Sequence, residues 1–223
     1  MEINLFEIAN KLHQHLLLNG INFNEYGYPV IPKEMILKTE PSEIIPFVHK
    51  NQCKDKSKTV VCFFEDDIEL YRRLNKLEED IEILKEFQGV TGFDLSPRLG
   101  WDKDTQKFNI LINLMVNAYR GLNGIKLLPN FRIGNESTLH SLSSYPPNSN
   151  YAVGSLGCSK NHIETNLFYL KMKLFYARPN KLFIYGNLRK EYEAYLKDYG
   201  IEFKLFTDFR TASYKKWRLE NGR

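Results

Sequence analysis

The sequence predicts an α/β protein with a mostly parallel sheet of about six strands. Short runs of β-branched and aromatic residues alternate with helix-length amphipathic stretches from residue 59 onward. Each stretch is long enough to form the crossover helix that joins two parallel strands. Polar clusters follow most of the runs, as they do at the carboxyl edge of a parallel sheet. An open sheet and an incomplete TIM-like barrel both fit these patterns.

The first 58 residues are predicted to form an N-terminal helix and an irregular arm packed on the core. Apolar residues recur at helical spacing through residues 1–18, and Asn19-Gly20 ends the pattern. Residues 21–49 contain Gly27 and four prolines, which divide the apolar residues into short pairs. We therefore expect this arm to occupy residues 1–58 and an α/β domain to occupy residues 59–223.

Six runs in the α/β domain are predicted strands, at residues 59–64, 90–95, 125–131, 151–156, 181–185 and 202–206. Helical spacing predicts helices at residues 68–87, 104–122, 136–144, 163–177 and 188–199. The stretch 68–87 fits one helix or a pair of helices. Residues 209–223 form a basic, aromatic tail.

Composition limits the function classes. The net charge of +4, from 31 basic and 27 acidic residues, permits a nucleic-acid partner without requiring one. Three cysteines without a CxxC pair indicate a reducing compartment, so we expect a cytoplasmic protein. No apolar run reaches the ~20 residues that span a bilayer, so we expect no membrane partner.

Two acidic residues, Asp66 and Asp94, lie at the ends of the first two predicted strands. Neighbouring carboxylates shift each other's pKa, so that one serves as acid and the other as base, and two carboxylates can also hold Mg²⁺. We predict Asp66 and Asp94 as catalytic residues, and as the ligands if Mg²⁺ is the cofactor. In the structural alternative, Asp66 or Asp67 caps the next helix and Asp94 hydrogen-bonds Ser96.

Arg98 follows the second predicted strand and Arg132 the third, and their planar guanidinium groups suit a phosphate or carboxylate. They can equally neutralise the acidic residues as ion pairs, and in both cases they should lie near one another. The glycine-rich segment 154–158 can bring backbone N–H groups close to an anion. The predicted substrate-binding set is Ser96, Arg98, Asn130, Arg132, Ser155, Gly157 and Tyr185.

The tail combines cationic and aromatic side chains that suit a nucleic acid, because cations contact phosphates and aromatic rings stack on bases. The predicted nucleic-acid-binding residues are Lys215, Lys216, Trp217 and Arg218. In the structural alternative the tail is a solvated terminal helix with Trp217 packed against the core.

Five motifs in residues 46–210 resemble domain-of-unknown-function family 4417, a family of phage, plasmid and bacterial proteins. They are Phe64-Glu65-Asp66-Asp67, Asp94-Leu95-Ser96, Leu128-Pro129-Asn130-Phe131-Arg132, Val153-Gly154-Ser155-Leu156-Gly157-Cys158, and Arg178-Pro179 before Ile184-Tyr185-Gly186. The resemblance implies a phage or mobile-element setting, and hence the cytoplasm of a bacterial host. It implies no reaction.

The predicted function is an enzyme that acts on a phosphate-bearing substrate, a nucleotide or nucleic acid, at the carboxyl edge of its sheet. The alternative is a non-catalytic protein that binds a host protein or DNA through the basic tail and the N-terminal arm. An enzyme should lose function in the Asp94→Asn variant while it stays folded, whereas a binding protein should tolerate this change.

Overall fold

Seven strands in the described part of the chain all pair in parallel, which confirms the α/β prediction. The computed structural model describes residues 3–156 and 163–221, without the side chains of residues 155, 156, 163–166 and 216. The strands are β1 Glu43–Pro46, β2 Thr59–Cys62, β3 Gly89–Thr91, β4 Leu127–Leu128, β5 Asn150–Leu156, β6 Lys181–Leu188 and β7 Glu202–Phe206.

Helices alternate with the strands from β2 onward, as the apolar spacing predicts. The α-helices are α1 Leu5–Leu18, α2 Asp67–Leu74, α3 Leu77–Leu84, α4 Lys103–Leu122, α5 Ile163–Ala177, α6 Lys190–Asp198 and α7 Phe209–Asn221. Short 3₁₀ helices occupy Lys33–Met35, Phe47–Gln52, Lys56–Lys58 and Glu136–Ser144. Within the described residues, no helix is both long and apolar enough to cross a membrane.

The strands form two sheets where the sequence predicted one, with the orders β1-β2-β3-β4 and β5-β6-β7. Within the described residues, one bridge between Asn130 and Ala152 joins them. Around it, the Phe131 N–H donates to the Ala152 carbonyl at 2.8 Å, and the Ala152 N–H donates to the Pro129 carbonyl at 2.7 Å. Spatial order therefore follows chain order across all seven strands.

β1 lies in the arm that was predicted to be irregular. Its pairing with β2 is in register from Glu43 opposite Thr59 to Pro46 opposite Cys62. The strand has only four residues and ends in a proline, so its two buried isoleucines do not form a recognisable pattern. The arm thus contributes the first strand of the four-stranded sheet.

The two sheets curve around a shared apolar interior. Its buried members come from both sheets, including β1 and β7 at the two ends of the strand order: Leu37, Ile44, Val60, Cys62, Leu128, Ala152, Phe183, Tyr185 and Phe206. No backbone ladder joins β1 to β7 in the described residues, but Glu40 forms ion pairs there with Lys181 at 2.8 Å and Lys204 at 2.6 Å. Of the two predicted architectures, this geometry matches the incomplete barrel.

Candidate functional site

The chain that follows β3 is held by side chains of α4 in place of a neighbouring strand. Asn117 Oδ1 accepts a hydrogen bond from the Phe93 N–H at 2.8 Å. Asn113 accepts from the Leu95 N–H at 2.8 Å and donates to the Leu95 carbonyl at 2.9 Å. One turn away, Asn109 donates to the Ser96 carbonyl at 3.0 Å.

We call Asn109, Asn113 and Asn117 the asparagine ladder. Their spacing of four residues puts all three on one face of α4. Because they satisfy the backbone of residues 93–96, this segment stays extended and successive side chains point to opposite sides. Phe93 and Leu95 are buried in the main core, and the intervening Asp94 lies at the carboxyl edge of the sheet.

Asp94 is the centre of a polar network at this edge. Its Oδ2 accepts a hydrogen bond from Arg132 Nη1 at 2.5 Å, and its Oδ1 accepts from Asn130 Nδ2 at 3.1 Å. Arg132 Nη2 also donates to Ser96 Oγ at 3.2 Å. The side chain of Asp94 is 7% exposed, whereas that of Arg132 is 42% exposed. The carboxylate is therefore buried behind an arginine that faces solvent.

Asp67 and Arg98 extend the network along the edge. Asp67 Oδ1 accepts a hydrogen bond from the Ser96 N–H at 2.8 Å, and Asp67 Oδ2 pairs with Arg98 Nη2 at 3.3 Å. The Arg98 guanidinium lies over the Trp101 ring at 5.2 Å from its centre, and its side chain is 63% exposed. We call the six residues Asp67, Asp94, Ser96, Arg98, Asn130 and Arg132 the edge network.

The pKa of Asp94 is raised to about 6, mainly because burial disfavours its charged form. Arg132 and Asn130 oppose this shift, and the negative charge of Asp67 adds to it. A carboxyl group with a pKa near 6 can donate or accept a proton close to neutral pH. Asp94 is thus the acid–base candidate of the site.

The raised pKa predicts how Asp94 contributes to stability as pH changes. The folded state retains the Asp94 proton between about pH 4 and 6, where the unfolded chain has released it. This stabilisation is present at low pH and is lost as pH rises through 6. Relative to the Asp94→Asn variant, the wild-type free energy of unfolding should fall by about 2 kcal/mol between pH 4.5 and 7. Urea unfolding at both pH values measures this, and a pH-independent difference would contradict it.

Asp66 does not join the edge network. It is exposed at the position before α2, and its side chain makes no capping hydrogen bond to the helix. Its neighbour Asp67 is the carboxylate that bonds Ser96 and whose charge acts on Asp94, so Asp67 takes the place predicted for Asp66. Among the described residues, no group of three or more His, Cys, Asp or Glu side chains is arranged to hold a metal ion.

The other predicted substrate-binding residues lie elsewhere. Tyr185 is 8% exposed in the barrel interior, and its hydroxyl accepts a hydrogen bond from the Phe209 N–H at 2.8 Å. Ser155 lies in β5, but its side chain falls outside the description, and Gly157 belongs to residues 157–162, which are also outside it.

The predicted nucleic-acid-binding residues lie on α7. Lys215, Trp217 and Arg218 are exposed, and the Lys216 side chain is among those not described. Trp217 is 50% exposed and stacks on Tyr214, with ring centres 6.2 Å apart. It does not pack against the core as the structural alternative expected.

The asparagine ladder and Lys173 were not predicted from the sequence, and Asp67 was considered only as a possible helix cap. The ladder leaves a visible signal, because three asparagines at a spacing of four interrupt the apolar face of a helix. Lys173 leaves none, since only the fold brings its Nζ to the Phe131 carbonyl at 3.0 Å. Burial, with the charge of Arg132, lowers the pKa of Lys173 to about 8. It supplies a further cation beside the edge network.

Comparison with known proteins gives one match. The sequence profile of the family described as "Domain of unknown function (DUF4417)" matches residues 24–208 of the 223 residues. Searches of curated proteins and of solved structures return no match. The matched range includes all seven strands and every member of the edge network. The chain therefore belongs to the DUF4417 family, which confirms the resemblance noted in its sequence.

Proposed function

We propose that the protein is an enzyme that binds a phosphate-bearing substrate, a nucleotide or nucleic acid, at the edge network. The observation that supports this most directly is the position of Arg132. Its guanidinium is oriented by Asp94 and Ser96, yet 42% of its side chain faces solvent. An arginine that is fixed in direction but open on one side is suited to bind an oxyanion.

The donor count supports anion binding. A guanidinium has five N–H donors, and the described hydrogen bonds of Arg132 to Asp94 and Ser96 use two of them. The others are available to phosphate oxygens. Arg98 adds a second exposed guanidinium, linked to Arg132 through Ser96 and Asp67.

The charge of the network depends on Asp94. With both carboxylates ionised, Asp67 and Asp94 balance Arg98 and Arg132. Protonation of Asp94, whose pKa is about 6, leaves one net positive charge. A bound phosphate therefore favours the protonated form. We propose that water attacks the phosphorus, the P–O bond to the leaving oxygen breaks, and Asp94 donates its proton to that oxygen, while a proton of the attacking water is released to solvent.

A ligand panel with variants of Arg132 tests the binding site. Wild-type protein should be stabilised against thermal unfolding by at least one member of a set containing mononucleotides, oligonucleotides and inorganic phosphate. Arg132→Gln should weaken that binding at least about tenfold, and Arg132→Lys, which keeps the charge without the planar fork, should also weaken it. The matched control is Arg72→Gln, because Arg72 is an exposed arginine on α2 that pairs only with Glu69 among the contacts described.

Asp94→Asn separates catalysis from binding. If Asp94 transfers a proton, this variant should bind the ligand identified by the panel but turn it over about 100-fold more slowly. Retention of full turnover in a folded Asp94→Asn protein would remove Asp94 from the mechanism. Failure of every phosphate-bearing ligand to bind the wild type would remove the proposed function itself.

A non-catalytic binding protein is the second candidate, and the exposed face of α7 favours it. Under this proposal a nucleic acid or a host protein binds α7 and no turnover follows. If neither Asp94→Asn nor Arg132→Gln changes the affinity for any ligand, the non-catalytic binding protein is favoured. The phage or mobile-element setting and the cytoplasmic location remain predictions.

A further inference from the structure

We infer that α7 is a binding element for single-stranded nucleic acid, which makes a polynucleotide the substrate class of the edge network. The assignment of a substrate rests on the proposed function, whereas binding by α7 can be tested separately. The side chains of α7 are unusually exposed. Tyr214, Trp217 and Leu219 are 53%, 50% and 86% exposed, so at least half of each of these apolar side chains faces solvent.

The exposed rings form an ordered surface. Tyr214 and Trp217 are separated by one helical turn and stack with an interplanar angle of 17°. The Arg218 guanidinium lies over the Tyr214 ring, 4.8 Å from its centre. Nearly parallel aromatic rings with an adjacent guanidinium resemble the platforms on which unpaired bases stack.

The charge of α7 favours a polyanion as the occupant. The helix contains four basic residues, Arg210, Lys215, Lys216 and Arg218, and one acidic residue, Glu220. Aromatic rings combined with this charge suit single-stranded nucleic acid better than duplex, whose bases are already stacked. An acidic protein could satisfy the charge but would not use the rings as base-stacking surfaces.

The first residues of α7 contact the carboxyl ends of strands in both sheets, and the edge network also lies at the carboxyl ends of its strands. The Phe209 N–H donates to Tyr185 Oη at 2.8 Å, and Tyr185 lies in the carboxyl half of β6. The Phe209 ring stacks on His49, which follows β1, with ring centres 3.8 Å apart. Asp208 accepts from the Thr211 N–H at 2.9 Å and caps the first turn. The helix thus starts at the carboxyl edge of the strands, where its base is fixed and its remaining length is exposed.

The two tryptophans of the chain allow the two sites to be observed separately. Trp101 lies under Arg98 in contact with the edge network, and Trp217 lies on α7. The Trp101→Phe variant leaves Trp217 as the only tryptophan, and Trp217→Phe leaves Trp101. Fluorescence of the first variant should be quenched by an unlabelled 20-nucleotide oligothymidine, whereas that of the second should respond to mononucleotides at the edge network.

Fluorescence anisotropy with a labelled oligothymidine tests the energetic role of α7. Trp217→Ala and Tyr214→Ala should each weaken binding about tenfold or more, because each removes a stacking surface. Mononucleotide binding should be unchanged in both. The matched control is Tyr199→Ala, since Tyr199 is 64% exposed and stacks on Tyr195 but lies after α6. It should bind the oligonucleotide as the wild type does.

The binding results distinguish failure of the inference about α7 from failure of the proposed function. If mononucleotides bind at the edge network but the α7 variants retain full oligothymidine affinity, the inference about α7 is overturned and the proposed function stands. If a duplex binds as tightly as oligothymidine, binding is non-specific and electrostatic, and base stacking is overturned. If polyglutamate binds as tightly as oligothymidine, the partner is an acidic protein, and base stacking is likewise overturned. If oligothymidine binds through α7 while Arg132→Gln and Asp94→Asn change nothing, α7 stands and the proposed function falls.

Discussion

Replacement of Asp80 by asparagine is expected to lower the free energy of unfolding by about 3–5 kcal/mol. Asp80 is 1% exposed, and its Oδ1 accepts a hydrogen bond from Arg73 at 2.8 Å. It is also the nearby counter-charge of Arg120, a guanidinium that is 1% exposed and makes no hydrogen bond among the described residues. The Asp80→Asn variant therefore leaves Arg120 as a buried charge without compensation.

Arg120 is held by aromatic faces in place of hydrogen-bond acceptors. Its guanidinium lies 3.9 Å from the centre of the Phe63 ring and 5.2 Å from that of Phe93. Burial, the larger effect, lowers the pKa of Arg120 to about 9 although Asp80 opposes this shift. The group still carries its charge at neutral pH beside Asp80, and removal of Asp80 disfavours this buried charge further.

A double-mutant cycle in urea isolates this interaction. Arg120→Met removes the buried charge and keeps a side chain of similar length, so the Asp80→Asn/Arg120→Met protein should recover a large part of the lost stability. Asp198→Asn is the matched control, because Asp198 is exposed at the end of α6. Simple additivity of the two single changes would mean that Asp80 acts through Arg73 alone.

Local pattern was sufficient for much of the fold. The helices at 163–177 and 136–144 and the strand at 202–206 have the bounds that the sequence predicts, because apolar spacing and turn residues define both ends of each. The stretch 136–144 forms a 3₁₀ helix, Glu136–Ser144, and the spacing of its apolar residues does not determine this helix type. β1 was missed because four residues carry no period, and its strand identity depends on pairing with β2.

The sequence predicts the location of the candidate site at the carboxyl edge of the sheet, but it predicts fewer of the individual side chains. Arg98, Arg132 and Asp94 were expected to lie close together, and the edge network joins them. The choice between Asp66 and Asp67 was not available from sequence, since a one-residue shift at the start of α2 decides which carboxylate faces Ser96. Tyr185 lies near a strand end as predicted, but its side chain is buried and its hydroxyl accepts a hydrogen bond from the Phe209 N–H.

Replacement of Asn113 by alanine is expected to lower the free energy of unfolding by about 2–4 kcal/mol, because it leaves two buried backbone groups without partners. Asn113 is 8% exposed and bonds both the N–H and the carbonyl of Leu95, neither of which has a strand neighbour. Helix propensity acts in the opposite direction, since alanine is favoured over asparagine within a helix. Asn10→Ala, at an exposed position in α1, measures that contribution alone.

The same substitution should also affect the edge network. In protein that remains folded, loss of the Leu95 hydrogen bonds frees the segment between Phe93 and Ser96, and with it the carboxylate that orients Arg132. We therefore expect Asn113→Ala to weaken anion binding severalfold below its unfolding transition, although Asn113 makes no described contact with Arg132. A destabilised variant that binds as tightly as the wild type would show that Asn109 and Asn117 suffice to position Asp94. Weakened binding would instead show that the asparagine ladder holds residues 93–96 in place, and with them the Asp94 carboxylate that orients Arg132.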